Sequence, residues 1–227
     1  MGVKALGLGN SPDEAAEILE LALAAEKAPE NATLLFRLAE ACFARGLLAD
    51  AKKWYSRRAE LSGAKEETWY CLYQVAVLTH FTQGATPEAI IQAYARAYDF
   101  LPSRLEPLAP LARIYRENGA HETAYQLSKL GIGAVVPSKG FGFDLSIYEL
   151  ILPLEFVYAC QALGREAEAT LIALRLLEHP QLPADCRTRL EALSGVQGIL
   201  LTLPLGGSVS GGFLRSLCPG WWERQAE

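Results

Sequence analysis

The sequence predicts an all-α fold in which pairs of helices follow one another along the chain. Two observations support this prediction. About half of the 227 residues are hydrophobic (51%), with alanine and leucine dominant and β-branched residues few, a balance that favours helix over strand. Apolar residues also recur at helical spacing, in segments that end at glycine or proline. No segment shows the alternation of apolar and polar residues that is typical of a strand.

Each helix is predicted from its own start and stop signals. Ser11 and Pro12, with Glu14 three residues after the serine, form a capping box that opens the first helix. Asn31 caps the second helix. Pro153 lies inside a later helix and predicts that this helix is kinked or starts later. The predicted helices are 11–28, Asn31 to Gly46, Gly46 to Ser62, 69–81, 87–102, 105–117, 124–130, 146–163 and 166–177.

A glycine–alanine register repeats along these helices. Four glycines at the turns within pairs are each followed five residues later by an alanine: Gly46 and Ala51, Gly84 and Ala89, Gly119 and Ala124, Gly164 and Ala169. A small residue lies seven positions before three of these glycines and eight positions before Gly84, as if that loop had gained one residue: Ala39, Ala76, Ala112 and Val157. We predict that the four alanines are buried where the second helix of each pair crosses the first, and that the small residues also lie at these crossings, because only small side chains let two helix axes approach closely. Prolines close the units at Pro29, Pro102 and Pro180.

This register is the tetratricopeptide signature, and successive turn glycines lie 38, 35 and 45 residues apart against about 34 for that repeat. We therefore predict a tetratricopeptide-like right-handed α-solenoid of about four helix pairs, with an N-terminal helix and an irregular C-terminal tail. Residues 1–10 are predicted to be a flexible N-terminus, 11–194 the repeat domain, and 195–227 the tail. The helix at 11–28 is either a cap or the second helix of a pair whose first helix is missing.

Charge and cysteine usage exclude several classes of protein. The formal net charge is −5 and the two signs are interspersed, which argues against a nucleic-acid partner. The five cysteines are dispersed and never spaced as Cys-x-x-Cys, so a metal site or a disulfide framework is not expected. No apolar stretch approaches the roughly 20 residues of a membrane helix. We expect a soluble, cytoplasmic chain without a cofactor and without membrane insertion.

The patterns of common active sites are not found. The histidines His80, His121 and His179 stand alone, without a second ligand at metal-binding spacing. There is no glycine-rich phosphate loop and no Gly-x-Ser-x-Gly elbow. Clustered carboxylates such as Glu66 and Glu67 fall at helix starts, where they complement the helix dipole. The sequence therefore predicts no catalytic residue and no metal ligand.

Two segments carry the candidate binding residues. The first is the polar segment after Pro102, because first helices line the concave face of the predicted solenoid; its residues are Arg104, Glu106, Arg113 and Arg116. Alternatively, Arg104 and Glu106 pair locally and fix the junction between two units. The second is the loop 135–144, since long loops in compact arrays are often functional; its residues are Phe141, Phe143 and Asp144. Alternatively, this loop is a wider turn in which Asp144 or Ser146 caps the next helix.

A resemblance to a known family rests on several runs of residues. These runs are Trp69 to Ala76, Ala93-Tyr94, Ala97 to Phe100, Pro102 to Leu108, and Leu111 to Arg116 with Gly119, followed by Asp144, Tyr148, Glu155, Ala159 and Gly164. Over residues 65–193 the chain resembles the helical repeat region that accompanies the catalytic domain of bacterial family-2 glycosyltransferases. The chain has no Asp-x-Asp motif and no strand-rich segment for such a domain. The resemblance thus implies an accessory module, and no catalytic residue is carried over.

The predicted function is a non-catalytic scaffold that binds a protein, a peptide or an acceptor chain, with a glycosyltransferase domain as a possible partner. A first alternative is a fragment or partner subunit of an active glycosyltransferase. A second is an adapter that grips a peptide carboxylate, which needs lysines on first helices; no lysine falls within a predicted first helix. A third is a helical-toroid hydrolase, which needs two carboxylates facing one cavity.

Overall fold

The computed structural model describes residues 12–137 and 140–195, in which helices are joined by turns and loops. The predicted flexible N-terminus at 1–10, Ser11 of the predicted capping box and residues 196–227 of the predicted tail lie outside the described residues. No described residue belongs to a strand, so the all-α prediction is confirmed. A π-helical segment, Ile147–Ile151, directly precedes α8. The helices are α1 Pro12–Lys27, α2 Ala32–Ala44, α3 Leu48–Ala59, α4 Lys65–His80, α5 Pro87–Phe100, α6 Leu108–Glu117, α7 His121–Lys129, α8 Leu152–Ala162, α9 Glu166–Leu177 and α10 Ala184–Ser194.

The described part of the chain divides into two compact units, one that ends at Ile172 and one that begins at Ala173. In the first unit each helix from α1 to α8 packs on the next along the chain, and α6 also contacts α8. In the second unit, α10 follows the end of α9, and Arg187 donates from Nη1 to the carbonyl of Leu177 at 2.8 Å. Leu182 and Leu190 are buried there, and α10 ends at Gly195, whose φ is 65°.

Three of the turns within helix pairs have the same backbone hydrogen bonds. The residue after the turn glycine donates its N–H to the carbonyl of the residue five positions earlier. The glycine itself has a positive φ, which is 72° at Gly46, 79° at Gly119 and 68° at Gly164. The bonds are Leu47 to Cys42, Ala120 to Tyr115 and Arg165 to Cys160, each 2.9 Å. This is the Schellman arrangement, which needs a left-handed residue and therefore favours glycine.

The turn at Gly84 is different. Ala85 donates to the carbonyl of Thr82 at 3.1 Å, and α5 begins only at Pro87, where the Thr86 side chain accepts from the N–H of Ala89. The prediction that Ala89 is buried like the other three alanines is wrong, because Ala89 is exposed. The extra loop residue shifts the register of α5, so that its buried residues are Tyr94 and Ala97.

The other small residues of the glycine–alanine pattern are buried, as predicted. The residues expected where the first helix of each pair crosses the second are fully buried: Ala39, Ala76, Ala112 and Val157. Three of the second-helix alanines are fully buried as well: Ala51, Ala124 and Ala169. A small side chain at these points permits two helix axes to approach closely.

Some helix boundaries differ from the prediction. Helix α4 begins at Lys65, so one lysine does lie in a first helix, at its first residue. Helix α6 begins at Leu108, because Pro107 caps it and Leu105 and Glu106 belong to the preceding turn. Helix α10 was not predicted. The helix predicted from Ser146 does not start later: the chain is helical from Leu145, and the π-helical segment runs directly into α8, just before Pro153.

Within the described part of the first unit, two clusters of apolar side chains meet at α4. The first lies among α1 to α4 and the second among α4, α5, α6 and the segment before α8. Tyr70 packs against the first cluster and Tyr73 against the second. Two of the candidate binding residues contact α4: Arg104 through Glu66 and Trp69, and Phe141 through Tyr70. None of the helices that the structure describes is both long enough and apolar enough to cross a membrane.

Candidate binding surface

The turn between α5 and α6 contains a buried ion pair. Arg104 donates from Nε to both carboxylate oxygens of Glu106, at 3.1 and 3.2 Å, and from Nη2 to Oε1 at 2.7 Å. The side chains are 2% and 0% exposed. Burial lowers the pKa of Arg104, but the bonds to Glu106 outweigh it and the pKa lies above its ordinary value, so the guanidinium stays charged. The local pairing that the sequence left open is thus the observed arrangement.

The rest of the guanidinium is also engaged. Nη1 of Arg104 lies 2.6 Å from Oε2 of the half-exposed Glu66, and Nη2 donates to the carbonyl of Phe141 at 2.8 Å. The plane of the group covers the ring of Trp69 at 3.9 Å from its centroid. Arg104 therefore joins α4 to two segments far from it in sequence.

The buried carboxylate of Glu106 is held by a tyrosine as well. The hydroxyl of Tyr148 donates to Oε2 at 2.9 Å and accepts from the N–H of Leu105 at 3.2 Å. Burial raises the pKa of Tyr148 to about 12. Every polar atom of this carboxylate is thus hydrogen-bonded, as a buried charge requires.

Phe141 places its ring on a group of aromatic side chains from α2 and α4. Its centroid lies 5.6 Å from the ring of Phe36 and 5.6 Å from the ring of Tyr70, and these two rings lie 6.0 Å apart. Tyr55 contacts both Phe36 and Tyr70, and Phe43 contacts Tyr55. We call these five residues the ring cluster. Phe43 and Phe141 are 38% and 43% exposed, so the cluster reaches the surface.

The carboxylate of Glu40 is hydrogen-bonded to the ring cluster. The hydroxyl of Tyr55 donates to Oε1 of Glu40. Burial, and then this hydrogen bond, raise the pKa of Tyr55 well above its ordinary range. Burial also raises the pKa of Tyr70 to about 12. Both hydroxyls therefore stay neutral and can donate hydrogen bonds at physiological pH.

The other two candidates of the loop have structural contacts. The half-buried ring of Phe143 lies 6.1 Å from that of Tyr148 and packs on the second apolar cluster. Asp144 accepts from the N–H and the hydroxyl of Ser146 through Oδ1, at 2.9 and 2.6 Å. Asp144 thus caps the start of the next helix, as the alternative interpretation of this loop proposed.

Arg113 and Arg116 share one buried carboxylate. Nε of Arg113 lies 2.9 Å from Oε1 of Glu155, and Nε of Arg116 lies 2.7 Å from Oε2. Glu155 is 3% exposed, whereas Arg113 is 54% exposed. The hydrogen bond to Glu155 raises the pKa of Arg116. This group joins α6 to α8 and presents the edge of the Arg113 guanidinium to solvent.

A pocket of about 480 Å³ lies beside the ion pair. Its wall includes Tyr98, Arg104, Leu130 and Val135, and Glu66 is the acidic residue in it. Two carboxylates facing each other, which a glycoside hydrolase needs, are not found in this part of the described structure. Within the residues described, no group of three or more histidine, cysteine or acidic side chains is placed to hold a metal ion.

Sequence reasoning missed several residues of this surface as site residues. Trp69, Tyr148 and Glu155 were noted only as part of the family resemblance, and Phe36 was not noted. A charged residue among Leu154, Phe156 and Val157 is the signal that marks Glu155, because an acidic side chain on an apolar face needs a partner. No local signal brings Phe36 together with Phe141.

No family model matches the chain, and no curated protein matches it. The function is therefore inferred from the residues of the chain itself.

Proposed function

We propose that this chain is a non-catalytic helical-repeat scaffold that binds a protein or peptide partner on the surface formed by the first helices of its pairs. The observation that carries the proposal is the ring cluster, which joins α2, α3, α4 and the loop at Phe141 and leaves two phenylalanine rings partly exposed. Exposed apolar groups of this kind, with polar residues around them, are typical of interaction sites.

We further propose that the helix pairs of the first unit stack in the tetratricopeptide manner, as a right-handed solenoid with the first helices on the concave side. The three equal turns and the buried small residues support this arrangement. Consecutive packing of helices along the chain supports it as well.

A glycosyltransferase domain is our proposal for the partner, and it rests on the family resemblance. Arg104, Glu106 and Tyr148, which contribute to that resemblance, are all buried in one hydrogen-bonded group. These residues link the turn between α5 and α6 to the π-helical segment, so the resemblance supports a shared repeat architecture. It transfers no catalytic role, and we propose that the chain alone is not an enzyme.

The experiment places a photo-crosslinking amino acid at one of two exposed positions. Phe43 lies in the ring cluster on α2, and Lys53 on α3 is the control. We expect a crosslinked protein from the Phe43 position and none from Lys53. The crosslinked protein is then purified and its Kd measured, and Phe43→Ala should weaken binding about tenfold, as truncation of a central aromatic contact does.

Two results would contradict the proposal. One is equal crosslinking from Phe43 and Lys53. The other is transfer of sugar from a nucleotide sugar by the purified chain alone, at turnover numbers typical of enzymes.

A further inference from the structure

We propose that the site that Phe36, Tyr70 and Arg104 form around Phe141, called the cleft below, is a recognition site for a glycine-flanked aromatic residue of a partner protein, and that Phe141 occupies it as an internal ligand. The inference rests on the proposed scaffold function and specifies the partner's chemistry. It follows from what the chain itself places in the cleft: a ring, two glycines and a carbonyl.

The first requirement of the cleft is an aromatic ring. The ring of Phe141 meets Phe36 edge to face, at an interplanar angle of 72°, and meets Tyr70 at 34°. Such arrangements favour an aromatic side chain over an aliphatic one of similar size. Since 43% of Phe141 remains exposed, the ring is held on one side and is open to exchange on the other.

The second requirement is a residue without a side chain on each side of the ring. A Cβ at Gly140 would lie 2.6 Å from Nη1 of Arg104, and a Cβ at Gly142 would lie 3.0 Å from two ring atoms of Tyr70. Both glycines have positive φ, 153° and 59°. A partner segment that follows the same path therefore needs glycine at both positions.

The third requirement is a backbone carbonyl. Arg104, held by Glu106 and Glu66, directs Nη2 to the carbonyl of Phe141. The Arg104 side chain is held in place and is 2% exposed, so a hydrogen bond from its Nη2 to a partner costs little side-chain conformational entropy. A partner backbone that displaces Phe141 must supply the same acceptor, because a buried unpaired guanidinium donor is unfavourable.

The internal ligand lowers the apparent affinity for any partner. A segment tethered in the same chain competes at an effective concentration of about millimolar or above. Partner binding therefore requires the exchange of one ring for another, and removal of the Phe141 ring should raise the affinity.

The experiment uses a fluorescein-labelled peptide with the sequence of residues 140–146 and follows its anisotropy with the full chain. We expect at least tenfold tighter binding to Phe141→Ala than to the wild-type chain. The control variant is Phe100→Ala, since Phe100 is 38% exposed on α5 and should leave the affinity unchanged. The double variant Tyr70→Ala/Phe141→Ala should bind the peptide no more tightly than the wild-type chain. A control peptide with alanine in place of its first phenylalanine should bind at least tenfold more weakly to Phe141→Ala.

The inference is overturned if the affinity of Phe141→Ala for the peptide is less than twofold higher than that of the wild-type chain. It is also overturned if Phe100→Ala shows the same increase in affinity, or if the control peptide binds to Phe141→Ala as tightly as the original peptide. Should Phe141→Ala fail to fold, Phe141→Leu replaces it, with the same order of affinities expected among the variants. If a partner is crosslinked at Phe43 but Phe141→Ala does not bind the peptide more tightly, the scaffold function is supported and only this inference is contradicted. Tighter peptide binding by Phe141→Ala without any crosslinked partner at Phe43 supports this recognition site and contradicts the scaffold function.

Discussion

At the scale of the residue, Arg104 and Glu106 show how a buried charge is tolerated. The two side chains are separated by one residue in the chain, and their contacts come from Glu66, Trp69, Phe141 and Tyr148. Such pairs contribute little net stability relative to apolar residues, but removal of one partner leaves the other as an unpaired buried charge.

This asymmetry gives a prediction. Arg104→Met leaves the carboxylate of Glu106 with the Tyr148 hydroxyl as its remaining side-chain partner, so we expect the free energy of unfolding to fall by about 3–5 kcal/mol. The double variant Arg104→Met/Glu106→Leu should recover much of that loss. Arg113→Ala is the control: Arg113 is 54% exposed and Arg116 still pairs with Glu155, so we expect a loss of about 1 kcal/mol or less. Urea unfolding measures all three. A loss for Arg104→Met no larger than that for Arg113→Ala would contradict the structural role.

At the scale of the element, the turn between two helices decides which face of the second helix is buried. Ala124 follows a Schellman turn and is fully buried, whereas Ala89 follows the longer turn at Gly84 and is exposed. One additional loop residue rotates the helix by about 100°, since a helix has about 3.6 residues per turn. The same residue type at the same sequence offset thus has two different environments.

These two alanines form a matched pair for mutation. Ala124→Leu should overpack the contact between α6 and α7 and lower the free energy of unfolding by about 1–3 kcal/mol. Ala89→Leu should change it by about 0.5 kcal/mol or less. Thermal unfolding measures both. Because α7 packs on α6 and α8, hydrogen exchange should accelerate in those two helices in Ala124→Leu. Equal melting temperatures for the two variants would contradict the repeat register.

At the scale of the whole molecule, buried phenols make the fold sensitive to alkali. Burial raises the pKa of at least five of the nine tyrosines above the ordinary value of about 10. They come from α3, α4, α5 and the π-helical segment: Tyr55, Tyr70, Tyr73, Tyr94 and Tyr148.

The direction of the pH effect follows from the direction of these shifts. In the unfolded chain the phenols lose their protons near pH 10, while in the folded chain they keep them to higher pH. The folded state therefore binds more protons above about pH 10, and the free energy of unfolding should fall as the pH rises from about 10 to 12. Urea unfolding at a series of pH values measures this fall. Ionisation of all nine tyrosines near pH 10 in the folded protein, followed by absorbance, would show that the phenols are not buried.

The sequence by itself determined most of the helices and most of the buried small residues of the glycine–alanine pattern. Glycine and proline mark the turns, and the small residues Ala39, Ala76, Ala112 and Val157 are fully buried, because both signals act within a few residues. Helix α10 escaped prediction, since its apolar pattern is weak and Leu190 is its one buried residue.

Tertiary structure decided the environment of most candidate site residues. The sequence proposed Arg104 and Glu106 either as ligand contacts or as a local pair. The choice depends on Phe141 and Tyr148, which lie 37 and 42 residues away from the groups they bind. Burial of a polar side chain is set by such distant partners, whereas the periodicity of a sequence reports only on its own helix.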